Sequence, residues 1–207
     1  MSNAINRRLL FAGSAGLILA GCSDMIGPPP AGKLYVLKPN FPAATPGPRA
    51  TWALSIQAPV TGAGLNSERI AILRPPASLD YYADSAWADP LPQVVQGALV
   101  EAFESGGRVA SVTRDADGVQ ADYLLGTDLR DFEARYDQGE GAPLAVVRLG
   151  AHLIQTHTRK LAGYSEFSKG VRASANSVEA AVAALSEAFI AVLADLVPWT
   201  LNHPAPG

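Results

Sequence analysis

The residue with the most definite chemistry is Cys22, the only cysteine among 207 residues. It closes Leu19-Ala20-Gly21-Cys22, behind an apolar run from Leu9 to Ala20 and the pair Arg7-Arg8. Small side chains at positions 20 and 21 admit a peptidase, and the next residue carries a thiol that can take a diacylglyceryl group. Cleavage between Gly21 and Cys22 then makes residues 1–21 a signal peptide and Cys22 a lipid-bearing N-terminus. The apolar run is short for the ~30 Å hydrocarbon core, so a membrane span is not expected. An ordinary secretory signal with an idle thiol is the alternative, but a lone exposed thiol in an oxidising compartment is a liability. One acyl chain attaches marginally at ~0.8 kcal/mol per buried CH₂, whereas two anchor stably, and diacylglycerol brings two.

The flanks of this motif bear on export and address. Arg7-Arg8-Leu9-Leu10-Phe11 resembles a twin-arginine signal, although paired arginines also occur in general secretory signals. Ser23 follows the cysteine, and the first aspartate comes one place later, at Asp24. In enteric bacteria an aspartate directly after the cysteine retains a lipoprotein in the inner membrane. Ser23 therefore favours the outer membrane, periplasmic face.

No other residues assemble a reactive site by type and spacing. A nucleophile needs a base within hydrogen-bond reach and an oxyanion site, and there is no G-x-S-x-G elbow. His152 and His157 are five apart on an expected strand, which sends them to opposite faces and rules out shared chelation of a metal, and His203 lies in the tail. Asp80 and Asp84 flank two tyrosines and read as a loop cap before a helix rather than an acid pair. Gly62-Ala63-Gly64 has neither the strand–helix context nor the following lysine of a phosphate loop. The expectation is a protein that is not an enzyme and takes no cofactor. The aromatic cluster Tyr81, Tyr82 and Trp87 has two readings, core packing or a partner-contact patch that supplies area at low entropy cost. Trp87 is the better core residue, and Tyr81 or Tyr82 the better contact.

Charge narrows the partners. The chain has 16 Lys+Arg and 19 Asp+Glu. Loss of residues 1–21 removes Arg7 and Arg8 and no acids, leaving 14 against 19, a net charge of −5. That argues against nucleic acid, which requires a basic face. Without a second cysteine, stability must come from an apolar core, and the length suits one domain.

The elements around these residues follow from pattern. Residues 22–50 hold seven of the sixteen prolines and read as a stiff tether, at ~3.1 Å per residue where polyproline-like. Leu34-Tyr35-Val36-Leu37 is an apolar patch within it that could join the sheet. Residues 51–207 are then a single domain. Trp52, Leu54 and Ile56 alternate as a half-buried strand, and Arg69 to Arg74 is a second, stopped by Pro75 and Pro76. A loop through Asp80–Ala88 leads into a helix with Pro90 and Pro92 in its first turn. Its stripe is Leu91, Val94, Val95, Ala98, Leu99, Ala102 and Phe103, ended by Gly106-Gly107.

Val109–Thr113 is a short strand. Tyr123, Leu125, Thr127 and Leu129 alternate along a longer one, in which Phe132 after Leu129 implies a bulge or a change of face. Asp137–Gly141 is a hairpin tip, and Ala145, Val147, Leu149, Ala151 and Leu153 line one face of the return strand, with Arg148, His152 and Thr156 on the other. Tyr164–Val171 completes a meander with one face polar enough to meet water or a partner. The last helix is expected to start at Asn176, with Glu179 completing a capping box, and to end at Pro198, with Trp199 packing back on the body. The fold class is α+β: an antiparallel-rich sheet with two helices on one face.

Ile70-Ala71-Ile72-Leu73-Arg74, then Leu79-Asp80-Tyr81-Tyr82, then Ser85-Ala86-Trp87-Ala88-Asp89-Pro90-Leu91-Pro92 resemble the ABC-type transport auxiliary lipoprotein family, which includes the lipoprotein of the paraquat-inducible envelope system. Tyr123-Leu124-Leu125 and the alanine-rich last helix closing near Trp199 extend the resemblance over most of residues 33–200. The resemblance implies a fold like the N-terminal domain of the periplasmic TolB protein. It also implies a non-catalytic subunit of an MCE-type system that moves phospholipids or other hydrophobic molecules between inner and outer membranes. The partners it implies are a periplasmic MCE protein that docks to the lipoprotein and, through it, a permease and an ATPase; ring-shaped partners raise the prospect of a homo-oligomer. A free periplasm-facing lipid carrier and a structural envelope lipoprotein are the alternatives. The anchor is directly testable: the mature N-terminus should carry acylated Cys22 by mass analysis, and Cys22→Ala should give a soluble or unprocessed form.

Overall fold

Tyr123, Leu125 and Leu129 bury to 2% exposure or less while Arg130 stays in solvent, the signature of a strand with one dry face. This strand is the axis of the domain. The computed structural model of the chain describes residues 32–37 and 47–202. Its strands are β1 (Lys33–Tyr35), β2 (Ala53–Ile56), β3 (Val60–Thr61), β4 (Arg69–Arg74), β5 (Ser78–Trp87), β6 (Ser111–Arg114), β7 (Tyr123–Arg135), β8 (Leu144–Gln155) and β9 (Lys160–Arg172). Its helices are α1 (Leu91–Gly106) and α2 (Val178–Leu201).

β7, β8 and β9 form the expected antiparallel meander, with β7 and β8 joined across the tip at 137–141. The other side of β7 is shared in succession by β2, β3 and β4, all parallel to it. β6 extends the β2 branch, and β5 and then β1 extend the β4 branch. The long ladders are antiparallel and the parallel ones short, so the sheet is mixed. The register of β7 on β8 shifts between Leu129 and Asp131, the bulge that Phe132 implied. A bulge bends its strand and raises the local twist, and the sheet curls into a half-barrel around the two helices.

The concave face is the core. Ala145, Val147, Leu149, Ala151 and Leu153 are each 0% exposed. Trp87, Phe132 and Phe189 stack edge to face across it at 5.8 and 5.9 Å between centroids, a favoured aromatic geometry. α1 packs on β2 and β6, and α2 on β7, β8 and β9. α1 has Pro92 in its first turn and stops at Gly107, which takes the left-handed φ of 58° that glycine adopts at low steric cost. By length and composition α2 is apolar enough to cross a membrane, with mean hydropathy 2.0, but half of its most apolar window is buried in the body. Leu185, Phe189, Val192 and Leu196 lie at 0% exposure, which makes it a core helix here.

Three expectations need correction. The stretch after Pro76 is not a loop leading to a helix but β5, a ten-residue strand paired antiparallel with β4. Its pattern hides it, because it lies toward the sheet margin with a wide bulge opposite Ile70, where Asp84 takes a φ of 50°. The cap of α2 is Ser177, whose hydroxyl accepts from the Ala180 N–H at 3.2 Å; Asn176 is occupied elsewhere. Pro198 does not end α2, which runs to Leu201. Trp199 against Phe167, at 5.7 Å, and the Thr200 hydroxyl donating to the Leu196 carbonyl at 3.0 Å hold the final turn.

Residues 33–35 of the proline-rich segment pair parallel with Ser85–Trp87. Glu179 clasps this strand, accepting from Lys33 Nζ at 2.8 Å and from the Tyr35 hydroxyl at 3.1 Å. The Lys33 ammonium is the main reason the Glu179 carboxyl is held down, from 4.5 to about 2. A carboxyl lowered on folding favours the docked strand above its free value, and that preference fades as pH falls toward about 2. Glu179→Gln should therefore speed amide exchange at Lys33–Tyr35 a few-fold and leave β7 and β8 unchanged. Phe132→Ala, which empties the centre of the aromatic stack, should cost about 3–5 kcal/mol, read as a lower urea midpoint at unchanged slope.

Candidate functional site

β5 carries the aromatic residues singled out in the sequence and sends them to three environments. Successive strand residues face opposite sides of a sheet. Tyr81 stands on the convex side opposite Ala71. Its hydroxyl donates to the Gly64 carbonyl at 3.0 Å, and the Arg69 guanidinium stacks 3.6 Å over its ring. Tyr82 turns to the other face. Trp87 is 1% exposed and belongs to the core stack, with no area for a partner. The three do not form one patch; Tyr81 and Tyr82 are half-buried and each is tied by its hydroxyl.

Tyr82 opens a polar network at the rim of the concave face. Its hydroxyl meets that of Tyr136 at 3.1 Å, and the Tyr136 hydroxyl donates to Asn176 Oδ1 at 2.8 Å. Asn176 Nδ2 donates to the Glu140 carbonyl at 2.9 Å, which ties the hairpin tip to the start of α2. Arg74 lies 4.4 Å over the Tyr136 ring and pairs with Glu140 at 3.2 Å. Burial, together with the Tyr136 bond, pushes the Tyr82 phenol well above its usual range, so it stays neutral and works as a hydrogen-bonding group. The network is structural in form: it joins β5, β7, the hairpin and α2, and this is why Asn176 is not free to cap the helix.

The convex side of the meander holds a second network, and the sequence reading missed its extent. Arg135 pairs with Glu133 at 2.7 Å and with Asp131 at 3.1 Å. Asp131 also binds Arg148 at 2.6 Å. Arg130 pairs with Glu166 and donates to the Tyr164 hydroxyl at 3.0 Å. Burial pushes the Glu133 carboxyl up, against the lowering effect of Arg135. Every second residue of β7 from Asp128, with a step at the bulge, is charged; that alternation was the available signal. Three arginines and three carboxylates neutralise one another, which suits a stable polar surface more than capture of a free ion.

The remaining candidates are separated. His157 lies not on a strand but in the β8–β9 turn, 3.7 Å from Asp122. His152 lies over Gly126, filling the space a Cβ would take. Asp80 and Asp84 sit on β5 rather than in a helix cap. Among the described residues no group of three or more His, Cys, Asp or Glu could hold a metal ion. Gly21 and Cys22, the expected cleavage and lipidation residues, lie outside the described residues, as does His203.

Comparison with known proteins places this architecture. An uncharacterized protein of Bradyrhizobium diazoefficiens is 32% identical over 194 residues, covering 89% of this chain and 49% of that protein. The chain thus spans about half the length of the curated relative it matches. A crystal structure of a Xanthomonas campestris protein superposes with a TM-score of 0.75 at 28% identity, over 82% of this chain and 95% of that one. A hypothetical protein of Chlamydia trachomatis shares the fold alone, with a TM-score of 0.51 at 6% identity over 74% and 98% of the two chains. The family model described as the ABC-type transport auxiliary lipoprotein component matches residues 35–197, from β1 into the last turns of α2. The chain belongs to the family of ABC-type transport auxiliary lipoprotein components.

Proposed function

We propose that the chain is a non-catalytic, lipid-anchored subunit of an MCE-type ABC transport system that moves phospholipids or other hydrophobic molecules between the inner and outer membranes. The observation that carries this reading is the family match over residues 35–197. Acylation of Cys22 holds the body at the membrane, facing the periplasm, and Ser23 favours the outer membrane over the inner. In this position the body docks the periplasmic MCE protein and, through it, the permease and the ATPase. ATP hydrolysis belongs to that other subunit.

The packing supports a docking role over a carrier role. A carrier needs room for an acyl chain between sheet and helices, and here that layer is filled. Leu54, Ile56, Leu125, Leu149, Leu185 and Phe189 meet there at 0% exposure. The polar groups at the rim and on the convex face are spent on one another, which leaves shape and surface as the means of action.

Affinity capture of the anchored chain from gently solubilised membranes should recover the MCE, permease and ATPase subunits together. Recovery of none of them from membranes that contain all three would sink the proposal. An acyl ligand retained by the isolated body in native mass spectrometry would favour the carrier reading instead.

A further inference from the structure

Charge is laid out unevenly over the domain. α1 and α2 carry five acids, Glu101, Glu104, Glu179, Glu187 and Asp195, and no Lys or Arg. Residues 22–207 hold 19 acids against 14 Lys and Arg. Outside the helices the remaining 14 acids equal the 14 cations, so the helices hold the whole net charge of −5. Glu179 and Asp195 are spent on Lys33 and Lys169. Glu101, Glu104 and Glu187 are exposed, and none pairs with a described cation.

Uncompensated cations gather at one end of the sheet. Backbone bonds assemble that end: the Ala50 N–H donates to the Arg108 carbonyl at 2.7 Å, the Asp122 N–H to the Ala53 carbonyl at 3.0 Å and the Thr156 N–H to the Asp122 carbonyl at 3.0 Å. They bring together residues 47–51, 107–110, 119–123 and 155–161. These segments hold Arg49, Arg108, Arg159 and Lys160 against one carboxylate, Asp122. Asp122 is half-buried and accepts the Ala53 N–H at 2.7 Å, with His157 at 3.7 Å. Along the chain the nearest helical acid is Glu104, in the last turn of α1. Arg49 and Arg108 donate through Nε to the Gly107 and Pro48 carbonyls, at 2.9 and 3.4 Å, and these neutral acceptors leave both charges standing. Arg159 and Lys160 are exposed and pair with no described carboxylate. Two apolar side chains stand in solvent on the same segments, Val119 at 55% and Leu161 at 62% exposure.

Cations with exposed apolar groups beside them fit the chemistry of an anionic bilayer. Each Lys or Arg near the lipid charge adds attraction, and apolar side chains add burial in the headgroup layer. The same surface repels a helix layer that has acids and no cation. Attraction at one end and repulsion from the helices orient the domain in a single sense. Acylation of Cys22, as proposed above, keeps such a surface beside the domain, and the inference rests on that reading.

We propose that this end of the sheet is the membrane-facing surface of the domain. Arg49, Arg108, Arg159 and Lys160 rest on anionic phospholipid of the anchoring bilayer, and Val119 and Leu161 enter its headgroup layer. The outer faces of α1 and α2 turn away from it.

The test uses the full-length chain purified from membranes, with a fluorophore on a single added cysteine: Val119→Cys, Leu161→Cys or, on the outer face of α2, Ala183→Cys. Each is reconstituted into phosphatidylcholine vesicles with or without phosphatidylglycerol. With phosphatidylglycerol, lipid-borne nitroxide should quench the labels at 119 and 161 about threefold or more over the label at 183. High salt, or omission of phosphatidylglycerol, should remove most of that difference. Arg159→Gln with Lys160→Gln should lower quenching at 119 and 161 about twofold or more at an unchanged melting temperature. Equal quenching at the three positions, stronger quenching at 183, or no dependence on phosphatidylglycerol overturns the membrane-facing end. Shielding of 119 and 161 by a second copy or by a transporter subunit instead of lipid overturns it too. Label taken up by Cys22 in the parent chain overturns the anchor reading. Sedimentation of that unacylated chain with phosphatidylglycerol vesicles, lost in the Arg159→Gln, Lys160→Gln variant, leaves the surface standing, and its absence removes both.

Discussion

The length of β7 is the constraint on which the rest of the fold depends. A strand of 13 residues offers more ladder than any one of the short N-terminal strands can use. It is paired along one side by β8 and along the other by β2, β3 and β4 in turn. Among the described residues the two branches of the sheet are joined through it. Its bulge then decides shape: the shift between Leu129 and Asp131 returns Phe132 and Ala134 to the concave side after the strand bends. Without that shift, the one-residue alternation would carry Phe132 to the solvent face and Asp131 into the core. One irregularity thus produces both the aromatic stack inside and the charged network outside.

How much of this was legible in the sequence depends on whether a signal was local. The meander was readable because both faces of β8 alternate cleanly, from Ala145 to Leu153, and the tip at 137–141 is made of turn residues. α1 was readable from its stripe and its glycine stop. β5 was not, since Asp80, Asp84 and Ser85 interrupt it and its bulge removes any period-2 pattern; pairing with β4 and β1 makes it a strand. The cap of α2 was misread by one residue because Asn176, a good capping residue by type, is taken by Tyr136, a partner 40 positions away. Pro198 was read as a stop by its local rule, while the packing of Trp199 on Phe167 and the burial of Thr200 override it.

The site divides in the same way. The expected lipidation at Cys22 is read entirely from neighbours in the chain. Tyr81, Tyr82 and Trp87 look like one cluster because they are close in sequence, but strand alternation and the bulge distribute them over the convex face, the concave rim and the core. The residues that do assemble, Tyr82 with Tyr136 and Asn176 or Arg130 with Glu166, are brought together by ladder register. Family membership came from the order of features along the chain, a signal that survives when no single residue is diagnostic.

The pairing of β1 with β5 has a consequence for reach. If the lipid sits on Cys22, the first strand-bound residue after it among those described is 33, where β1 begins. At ~3.3–3.6 Å per residue the body can stand no more than about 36–40 Å from the anchor. Were β1 to leave the sheet, the next backbone tie to the body would be Ala50, whose N–H donates to the Arg108 carbonyl at 2.7 Å, and the limit would grow to about 90–100 Å. Should Cys22 carry the lipid, the β1 ladder, the Glu179 contacts and the packing of Tyr35 and Leu37 on the core together decide which of the two limits applies.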